Sequence, residues 1–307
     1  MTALTVVKPG MLTTVQDLGR RGYQGLGVPV SGPMDAYSHR LANQLLGNDP
    51  SAAALEITLL GPELVADGDV TCALTGADIS VTIDGKPAPI NEPFTVRAGA
   101  HLRWGSRVGG TRQTLAVRGG FDVPATLGSR ATHVVSRMGP FGGRGLRAGD
   151  VLPVGAAVGG RAIAGNPLEL PQGGARLRVM PGVHRDRFTE DAWGLLVHAR
   201  FTISPQSNRM GYRLDGPVLT HTRTADILSE ATPEGVIQVP ASGQPILLLA
   251  ERATTGGYAT IANIITADLP IAGQLAPGDW IEFDIVSRED ALAALRRREA
   301  ALRGVAR

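Results

Sequence analysis

The sequence predicts a mainly β protein built from a duplicated β domain, with a few short helices. Its 307 residues include 40 glycines and 21 prolines, a content typical of many short strands joined by turns. Runs rich in Val, Ile and Thr recur between turn signals spaced about 8 to 12 residues apart, as in β-sandwiches and β-barrels. Two stretches, GLRAGDVLPV and QLAPGDWIEF, each place a Gly-Asp turn before a strand near the end of one half. That echo favours two β domains over one large sandwich.

The first elements of the chain are a strand and a helix. Residues 3–7 (ALTVV) have the composition of a strand. A helix is expected from about 33 to 46, because apolar residues recur there at i, i+4. Ser31 or Gly32 can cap this helix, and Asp35 complements the positive end of its dipole.

Strands dominate both halves of the chain. The pattern is β from 56 to 154, and Asp84-Gly85 between two strand-like runs is a strong hairpin signal. A stretch rich in Gly, Ala and Pro then predicts a connection between two domains. The second half repeats the β pattern, with a short helix within 186–201. The predicted division is an N-terminal domain over 1–158, a linker over 159–174, a C-terminal domain over 175–289 and a basic terminal helix over 290–307.

The terminal segment is basic and helical in pattern. Leu292, Leu295 and Leu302 fall roughly on one helical face, while arginines outnumber acids. A solvated terminal helix is the simpler interpretation, and a helix that binds a partner is the more specific alternative.

Composition and motifs exclude several classes of function. The net charge of +2 and the aromatic content of 4% argue against nucleic-acid binding. Cys72 is the single cysteine, and we expect it to be a small buried apolar residue in a reducing compartment. The sequence shows no secretory segment or membrane span, so we expect a soluble, cytoplasmic protein without a membrane partner. There is no P-loop, no dinucleotide fingerprint, no nucleophile elbow and no His or Cys pattern for a metal.

One stretch of the second half combines buried strands with a polar, glycine-rich loop. Strands are expected at 237–240, 246–250 and 261–265, with the loop at 251–258. Gly256-Gly257 could close a tight hairpin, or could let the backbone form an anion-binding concavity. Taken alone, the hairpin is the better interpretation.

Two further polar loops accompany that stretch. Arg209 could clamp a carboxylate or phosphate, and Tyr212 could donate a hydrogen bond. Gln238 and Gln244 carry amides that suit a lactam or ureido ligand. For each loop, an ordinary surface turn remains the alternative.

Several long strings in these regions closely resemble one family. They are TTVQDLGRRGYQGLGVPVSGPMD, AVRGGFDVPATLGSRAT, SNRMGYRLDG, SEATPEGVIQVPASGQPILLLAERATTGGY and DLPIAGQLAPGD. The chain resembles the KipA-type family over about residues 3 to 286. That family is also called the C component of 5-oxoprolinase, allophanate hydrolase subunit 2 or biotin-dependent carboxyltransferase-like protein.

The resemblance implies a fold and a partner. The fold would be two tandem cyclophilin-like β-barrel domains, and the partner would be a KipI-type protein, the B component of 5-oxoprolinase. The chain departs from the family at two positions, with Glu251 where Asp is common and Ala259 where Pro is common. Glu251 keeps the charge but moves the carboxylate by one methylene, which puts an inherited catalytic role in doubt.

The resemblance also implies one of three roles. The first is the C component of an ATP-dependent 5-oxoprolinase, which is inactive alone and opens the lactam of 5-oxoproline to glutamate together with the A and B components. The second is the carboxyltransferase component of a biotin-dependent urea carboxylase. The third is a non-enzymatic regulator that binds a KipI-type kinase inhibitor. A free-standing chain favours the first role.

The candidate site residues follow from the loops and the resemblance together. Those predicted to be catalytic are Arg209, Glu251 and Tyr258. Those predicted to bind a small amide or lactam are Asn208, Tyr212, Gln238, Gln244, Thr254, Thr255, Gly256 and Gly257. A second candidate site comprises Gln16, Asp17, Arg20, Ser31 and Asp35.

Overall fold

Two units make up the chain in the computed structural model, which describes residues 2–157 and 159–304. Unit 1 contains the residues up to Arg20, Ser31–Leu170 and the residues from Glu299 onward. Unit 2 contains Arg21–Val30 and Pro171–Arg298. Neither unit is a continuous stretch of sequence, because the short segment 21–30 clusters with the second half. The predicted boundary at residue 158 and the end of the predicted terminal helix, 305–307, lie outside the described residues.

Unit 1 is a curled, nine-stranded sheet. Its main path runs β2-β3-β8-β4-β1-β9, and β5 joins it through β8 while also pairing with β6 and β7. The strands are β1 (Ala3–Lys8), β2 (Leu12–Gln16), β3 (Ala54–Thr58), β4 (Glu63–Ala66), β5 (Val70–Ile83), β6 (Lys86–Pro87), β7 (Pro93–Val96), β8 (His101–Val117) and β9 (Val151–Pro153).

The core of unit 1 is built from the buried faces of these strands. Alternate residues of the strands are buried there, including Leu55, Leu74 and Leu115. Cys72 belongs to this core, and burial raises the pKa of its thiol to about 12. The prediction of a buried, apolar cysteine is therefore confirmed.

Helix α1 (Ala36–Leu45) is the long helix of unit 1, within the predicted range. The predicted cap was wrong: Asp35 is the N-cap, and its Oδ1 accepts a hydrogen bond from the Ser38 amide at 2.8 Å. Ser31 instead has a positive φ of 59° and lies before the helix start. A short turn, α2 (Pro140–Gly143), follows the loop-rich excursion after β8, and its Phe141 and Gly142 have left-handed backbone with φ of 54° and 68°.

The predicted hairpin at Asp84-Gly85 is confirmed. Ile83 pairs with Lys86 across the two-residue turn, and both turn residues have positive φ, 49° and 83°. An Asp-Gly pair suits such a turn because both positions need a left-handed backbone.

Unit 2 is a closed, seven-stranded barrel with a separate two-stranded sheet, β13 with β16. The barrel order is β10-β17-β14-β15-β12-β11-β18, and β18 returns to β10 through a parallel pairing. The strands are β10 (Gly174–Pro181), β11 (Phe201–Ile203), β12 (Gly211–Asp215), β13 (Asp226–Ala231), β14 (Val236–Gln238), β15 (Ile246–Leu248), β16 (Thr255–Tyr258), β17 (Thr260–Ile264) and β18 (Trp280–Ile285). The prediction of a mainly β fold is thus confirmed.

Three helices belong to the second half of the chain. They are α3 (Glu190–His198), α4 (Leu269–Ala272) and α5 (Arg288–Leu302). Helix α3 is the short helix expected within 186–201, and Thr189 caps it through the Ala192 amide. Helix α5 begins two residues before the predicted terminal helix of 290–307, and its Leu292 is 44% exposed. Ala294 is buried in a small cluster of unit 2, and Leu295 of the predicted face packs against that cluster. Leu302 is also buried, so Leu292 is the exposed member of the predicted leucine face.

Both units contain the same Gly-Asp turn, as the sequence echo suggested. Gly149 and Gly278 have φ of 87° and 91°, which an L side chain rarely adopts. The following carboxylates, Asp150 and Asp279, each accept a hydrogen bond from the amide three residues earlier, at 2.7 and 2.9 Å. Strands β9 and β18 start directly after these turns.

Among the helices in the described ranges, none combines the length and the apolar character that crossing a lipid bilayer requires.

Candidate functional site

A cavity of about 190 Å³ lies against the outer face of the unit 2 barrel. Strand alternation shows which face this is. Ile246 and Leu248 line the cavity, while Leu247 between them is fully buried and points to the barrel interior. The lining residues are Gln206, Asn208, Met210, Gly211, Arg213, Thr232, Gln238, Ile246, Leu248, Arg252, Ala253 and Thr255.

Tyr212 points away from this cavity. It lies opposite Leu247 in the β12–β15 ladder and is 1% exposed. Its hydroxyl donates to the Leu275 carbonyl at 2.9 Å. Gly211 and Arg213, on either side of it, line the cavity instead. The phenol therefore lies inside the barrel and does not reach the cavity.

Gln238 is the best-positioned amide of the cavity. It is 5% exposed, and its Nε2 donates to the Tyr258 carbonyl at 3.3 Å. Its Oε1 accepts no hydrogen bond from any described residue. A Cβ on Gly256 would lie 2.7 Å from Gln238 Nε2, so β16 crosses this amide at a distance that only glycine permits. The arrangement fixes one end of the amide and leaves the other as an acceptor.

The segment 251–258 is not the hairpin that Gly-Gly suggested. Thr255–Tyr258 forms β16, which pairs with β13, with Gly256 opposite Glu230. The strands before and after the segment, β15 and β17, are separated in the barrel by β14. The hairpin prediction was wrong because the strand that pairs with the glycines lies about two dozen residues earlier in the chain.

Arg252 is a site residue that the sequence reasoning missed. Its Nε donates to the Thr232 carbonyl at 2.7 Å, and its Nη1 donates to the Leu249 carbonyl at 3.3 Å. Its side chain is 15% exposed, and Nη1 lies 3.9 Å from Glu234 Oε2. Burial lowers the pKa of Arg252, against the opposing effect of Glu234. It immediately follows Glu251 in the loop already singled out, so position alone could have flagged it.

Arg209 and Glu251 form a buried ion pair rather than part of the cavity wall. Arg209 Nε lies 2.7 Å from Glu251 Oε1, and the side chains are 5% and 3% exposed. The Glu251 amide also donates to the Arg209 carbonyl at 2.9 Å. The Glu251 carboxylate thus contacts the guanidinium directly.

The remaining predicted residues of unit 2 divide between cavity and scaffold. Asn208 and Thr255 line the cavity, and Thr254 lines a second one described below. Gln244 exchanges two hydrogen bonds with the backbone of Gly216, at 3.1 and 3.2 Å. Tyr258 is 40% exposed and lines neither cavity, and Gly257 also lies outside both linings.

A second cavity of about 260 Å³ adjoins the first. The two share Thr232, Arg252 and Ala253. Thr232 Oγ1 donates to the Ala253 carbonyl, which ties the shared wall together. The residues lining this cavity are Gln24, Val30, Ala231, Thr232, Pro233, Arg252, Ala253 and Thr254.

The second candidate site lies in unit 1, and its members are buried. Gln16 Nε2 and Ser31 Oγ both donate to the Thr132 carbonyl, at 3.1 and 2.7 Å. Arg20 Nη2 donates to the Ala131 carbonyl at 2.9 Å. Gln16 Oε1 and Arg20 Nη1 are buried without a hydrogen-bond partner among the described residues. Gln16, Arg20 and Ser31 are thus held against residues 131–132 within unit 1.

The two acids of this second set have structural contacts. Asp17 accepts from the Gly19 amide, from Ser129 Oγ and from the Arg130 amide, at 2.9, 2.6 and 2.5 Å. Asp35 caps α1. These contacts hold the irregular segment in place.

His39 lies within this buried polar region of unit 1. Burial lowers its pKa to about 4, although Asp17 and Glu56 favour its charged form. The imidazole is therefore neutral near pH 7, so it adds no positive charge to the region.

Comparison with known proteins places these features in a family. Residues 26–285 match the family described as carboxyltransferase domain, subdomain A and B. The chain is 39% identical to the C component of 5-oxoprolinase from Escherichia coli strain K12, over 95% of this chain and 94% of that protein. It is 33% identical to the urea amidolyase of Saccharomyces cerevisiae, over 99% of this chain but only 18% of that protein.

A solved structure agrees with the sequence matches. The crystal structure of the Kluyveromyces lactis urea carboxylase superposes with a TM-score of 0.94 at 32% identity, covering 99% of this chain and 29% of that one. The resemblance noted from the sequence strings is thereby confirmed.

Proposed function

The chain belongs to the family of the carboxyltransferase domain with subdomains A and B, and from that premise we propose that it is the C component of an ATP-dependent 5-oxoprolinase. In this proposal it works in a cytoplasmic complex with a KipI-type B component and with the A component, and it is inactive alone. The observation that carries the proposal is the 39% identity to a protein named as the C component of 5-oxoprolinase, along 95% of this chain.

The first cavity supports a small amide ligand. Its volume of about 190 Å³ is below the roughly 300–1,000 Å³ typical of drug-sized ligands, which suits a compact metabolite. A lactam presents an N–H beside a C=O, and Gln238 Oε1 is an acceptor without a partner among the described residues. We assign the lactam N–H to this oxygen.

The proposed reaction couples ring opening to ATP. The carbonyl oxygen of the lactam takes the γ-phosphoryl group and releases ADP, which activates the carbon. Water then adds to that carbon, and the C–N bond breaks to give γ-glutamyl phosphate with the amine protonated. A second water hydrolyses this acyl phosphate to glutamate and phosphate. The sequence contains no P-loop, so we assign ATP binding to the assembled complex rather than to a motif of this chain.

The test is a coupled assay of ADP release by the complex of this chain with the A and B components. We expect ATP turnover that requires both 5-oxoproline and this chain, with glutamate formed in equal amount. A matched reaction without this chain sets the background. Absence of 5-oxoproline-dependent turnover by the complete complex would overturn the proposal.

A second candidate function is the carboxyltransferase component of a biotin-dependent urea carboxylase. The TM-score of 0.94 to the Kluyveromyces lactis urea carboxylase favours it. Urea and the biotin ring also present an N–H beside a C=O, so the same amide acceptor suits them. Transfer of a carboxyl group from carboxybiotin to urea, assayed with a KipI-type partner, distinguishes this candidate.

A further inference from the structure

The wall between the two cavities of unit 2 contains one cationic side chain, that of Arg252. Cavities of about 190 and 260 Å³ lie on either side, and both include Arg252 in their lining. Gln238 belongs to the first cavity only, and Gln24 and Thr254 to the second only. A ligand whose amide faces Gln238 therefore has Arg252 as a cationic neighbour.

The guanidinium is anchored on one edge. Nε and Nη1 donate to the carbonyls of Thr232 and Leu249. Nη2 donates to none of the residues that the structure describes. A guanidinium is a planar fork of five donors, so fixing one edge orients the donors of the other. Arg252 thus presents Nη2 in a fixed direction from a largely buried position.

The charges around this wall favour an anion. Arg21 and Arg252 both act on Glu234, whose pKa burial raises above its usual range. Arg209 also acts on Glu234, but Glu251 already balances it through the buried pair. Arg21 and Glu234 are also the charged groups that act on Arg252 itself. Two arginines against one carboxyl leave the wall with a net positive charge.

We propose that Arg252 binds the carboxylate of the lactam substrate through Nη2 and so selects 5-oxoproline over neutral amides. The inference rests on the proposed function, because it assigns the second polar group of that same substrate. A carboxylate supplies the hydrogen-bond acceptor that Nη2 lacks and offsets the loss of hydration of the guanidinium. Urea and 2-pyrrolidinone carry an amide but no carboxylate, so they gain nothing from Arg252.

The experiment measures the KM for 5-oxoproline in ADP release by the full complex with the A and B components. Arg252→Gln should raise KM by about tenfold or more, since a charge-assisted hydrogen bond is lost. Arg252→Lys should recover part of this loss, because it restores the charge but not the planar fork. Arg176→Gln is the matched control, since Arg176 is 65% exposed and lines neither cavity.

A second measurement compares lactams with and without a carboxylate. We expect 2-pyrrolidinone to compete with 5-oxoproline at least about tenfold more weakly than a lactam bearing a carboxylate, and we expect Arg252→Gln to remove that preference. Thermal unfolding of each variant shows whether the barrel still folds.

The outcomes separate the two hypotheses. If the wild-type complex turns over 5-oxoproline while folded Arg252→Gln keeps the same KM and the same preference for a carboxylate, Arg252 does not bind the carboxylate and the proposed function stands. If the wild-type complex does not turn over 5-oxoproline, both are overturned.

Discussion

The buried pair of Arg209 and Glu251 allows a direct test of whether these residues hold the site or act in it. Their Nε–Oε1 distance is 2.7 Å, and neither side chain is more than 5% exposed. Replacing Arg209 by Met leaves a carboxylate buried without its main partner. Replacing Glu251 by Leu leaves a buried guanidinium in the same position.

The magnitude follows from this burial. Removing one partner of a buried ion pair costs about 3–5 kcal/mol, because the remaining charge keeps its desolvation penalty. Removing both partners together costs far less, and apolar replacements are often neutral. Each single variant should therefore lose about 3–5 kcal/mol of unfolding free energy, and Arg209→Met/Glu251→Leu should recover most of it.

The assay is chemical unfolding followed by the fluorescence of Trp193 and Trp280, with Trp104 replaced by Phe so that only unit 2 reports. Arg176→Met is the control, since it removes an exposed arginine of the same barrel and should change stability little. If either single variant unfolds like the wild type yet abolishes 5-oxoproline turnover, the pair acts on substrate and the structural account of it is refuted.

Two further predictions concern a buried histidine and a crossing glycine. His39 has a pKa lowered from 6.5 to about 4, so its neutral form stabilises unit 1 above pH 6.5 and this contribution is lost as pH falls towards 4. The loss of unfolding free energy should reach about 3 kcal/mol, and it should be absent in His39→Gln. Chemical unfolding followed by Trp104 fluorescence measures it, and equal pH dependence in both proteins would contradict the prediction. Gly256→Ala should raise the KM for 5-oxoproline by roughly tenfold, because its Cβ would lie 2.7 Å from Gln238 Nε2 and 2.9 Å from Thr232 Cγ2. Gly257→Ala, whose Cβ would be 3.6 Å from the nearest atom, should have a smaller effect on KM. An equal effect would refute the argument that β16 passes Gln238 too closely for a side chain at position 256.

Local signals predicted the elements well. Helix α1, strand β1 and the Asp84-Gly85 turn depend on residues close together in sequence, and they lie where the pattern placed them. The cap of α1 was wrong because several residues before the helix could accept a hydrogen bond from its first turn. Only the backbone geometry decides that Asp35 does so.

The site was harder to predict, because its contacts join distant parts of the chain. Arg209 looked available as a cation until its partner, 42 residues away, was placed beside it. Arg252 looked like part of a turn until Thr232 and Leu249 fixed its guanidinium. Tyr212 points into the barrel, while its strand neighbours Gly211 and Arg213 line the cavity, so a difference of one residue in register decides which side chain faces it.

The parallel pairing of β10 with β18 sets the order in which unit 2 can fold during synthesis. It joins strands more than 100 residues apart, as the contact of Arg176 with Glu282 across 106 residues shows. Strand β18 also pairs with β11, so both neighbours keep open edges until the last strand has left the ribosome. Such edges are templates for pairing between chains, and long-range closure is slow. A nascent chain released before Ile285 therefore exposes two unpaired strand edges at once. Pairing of β18 with both neighbours is the step that protects the barrel from aggregation.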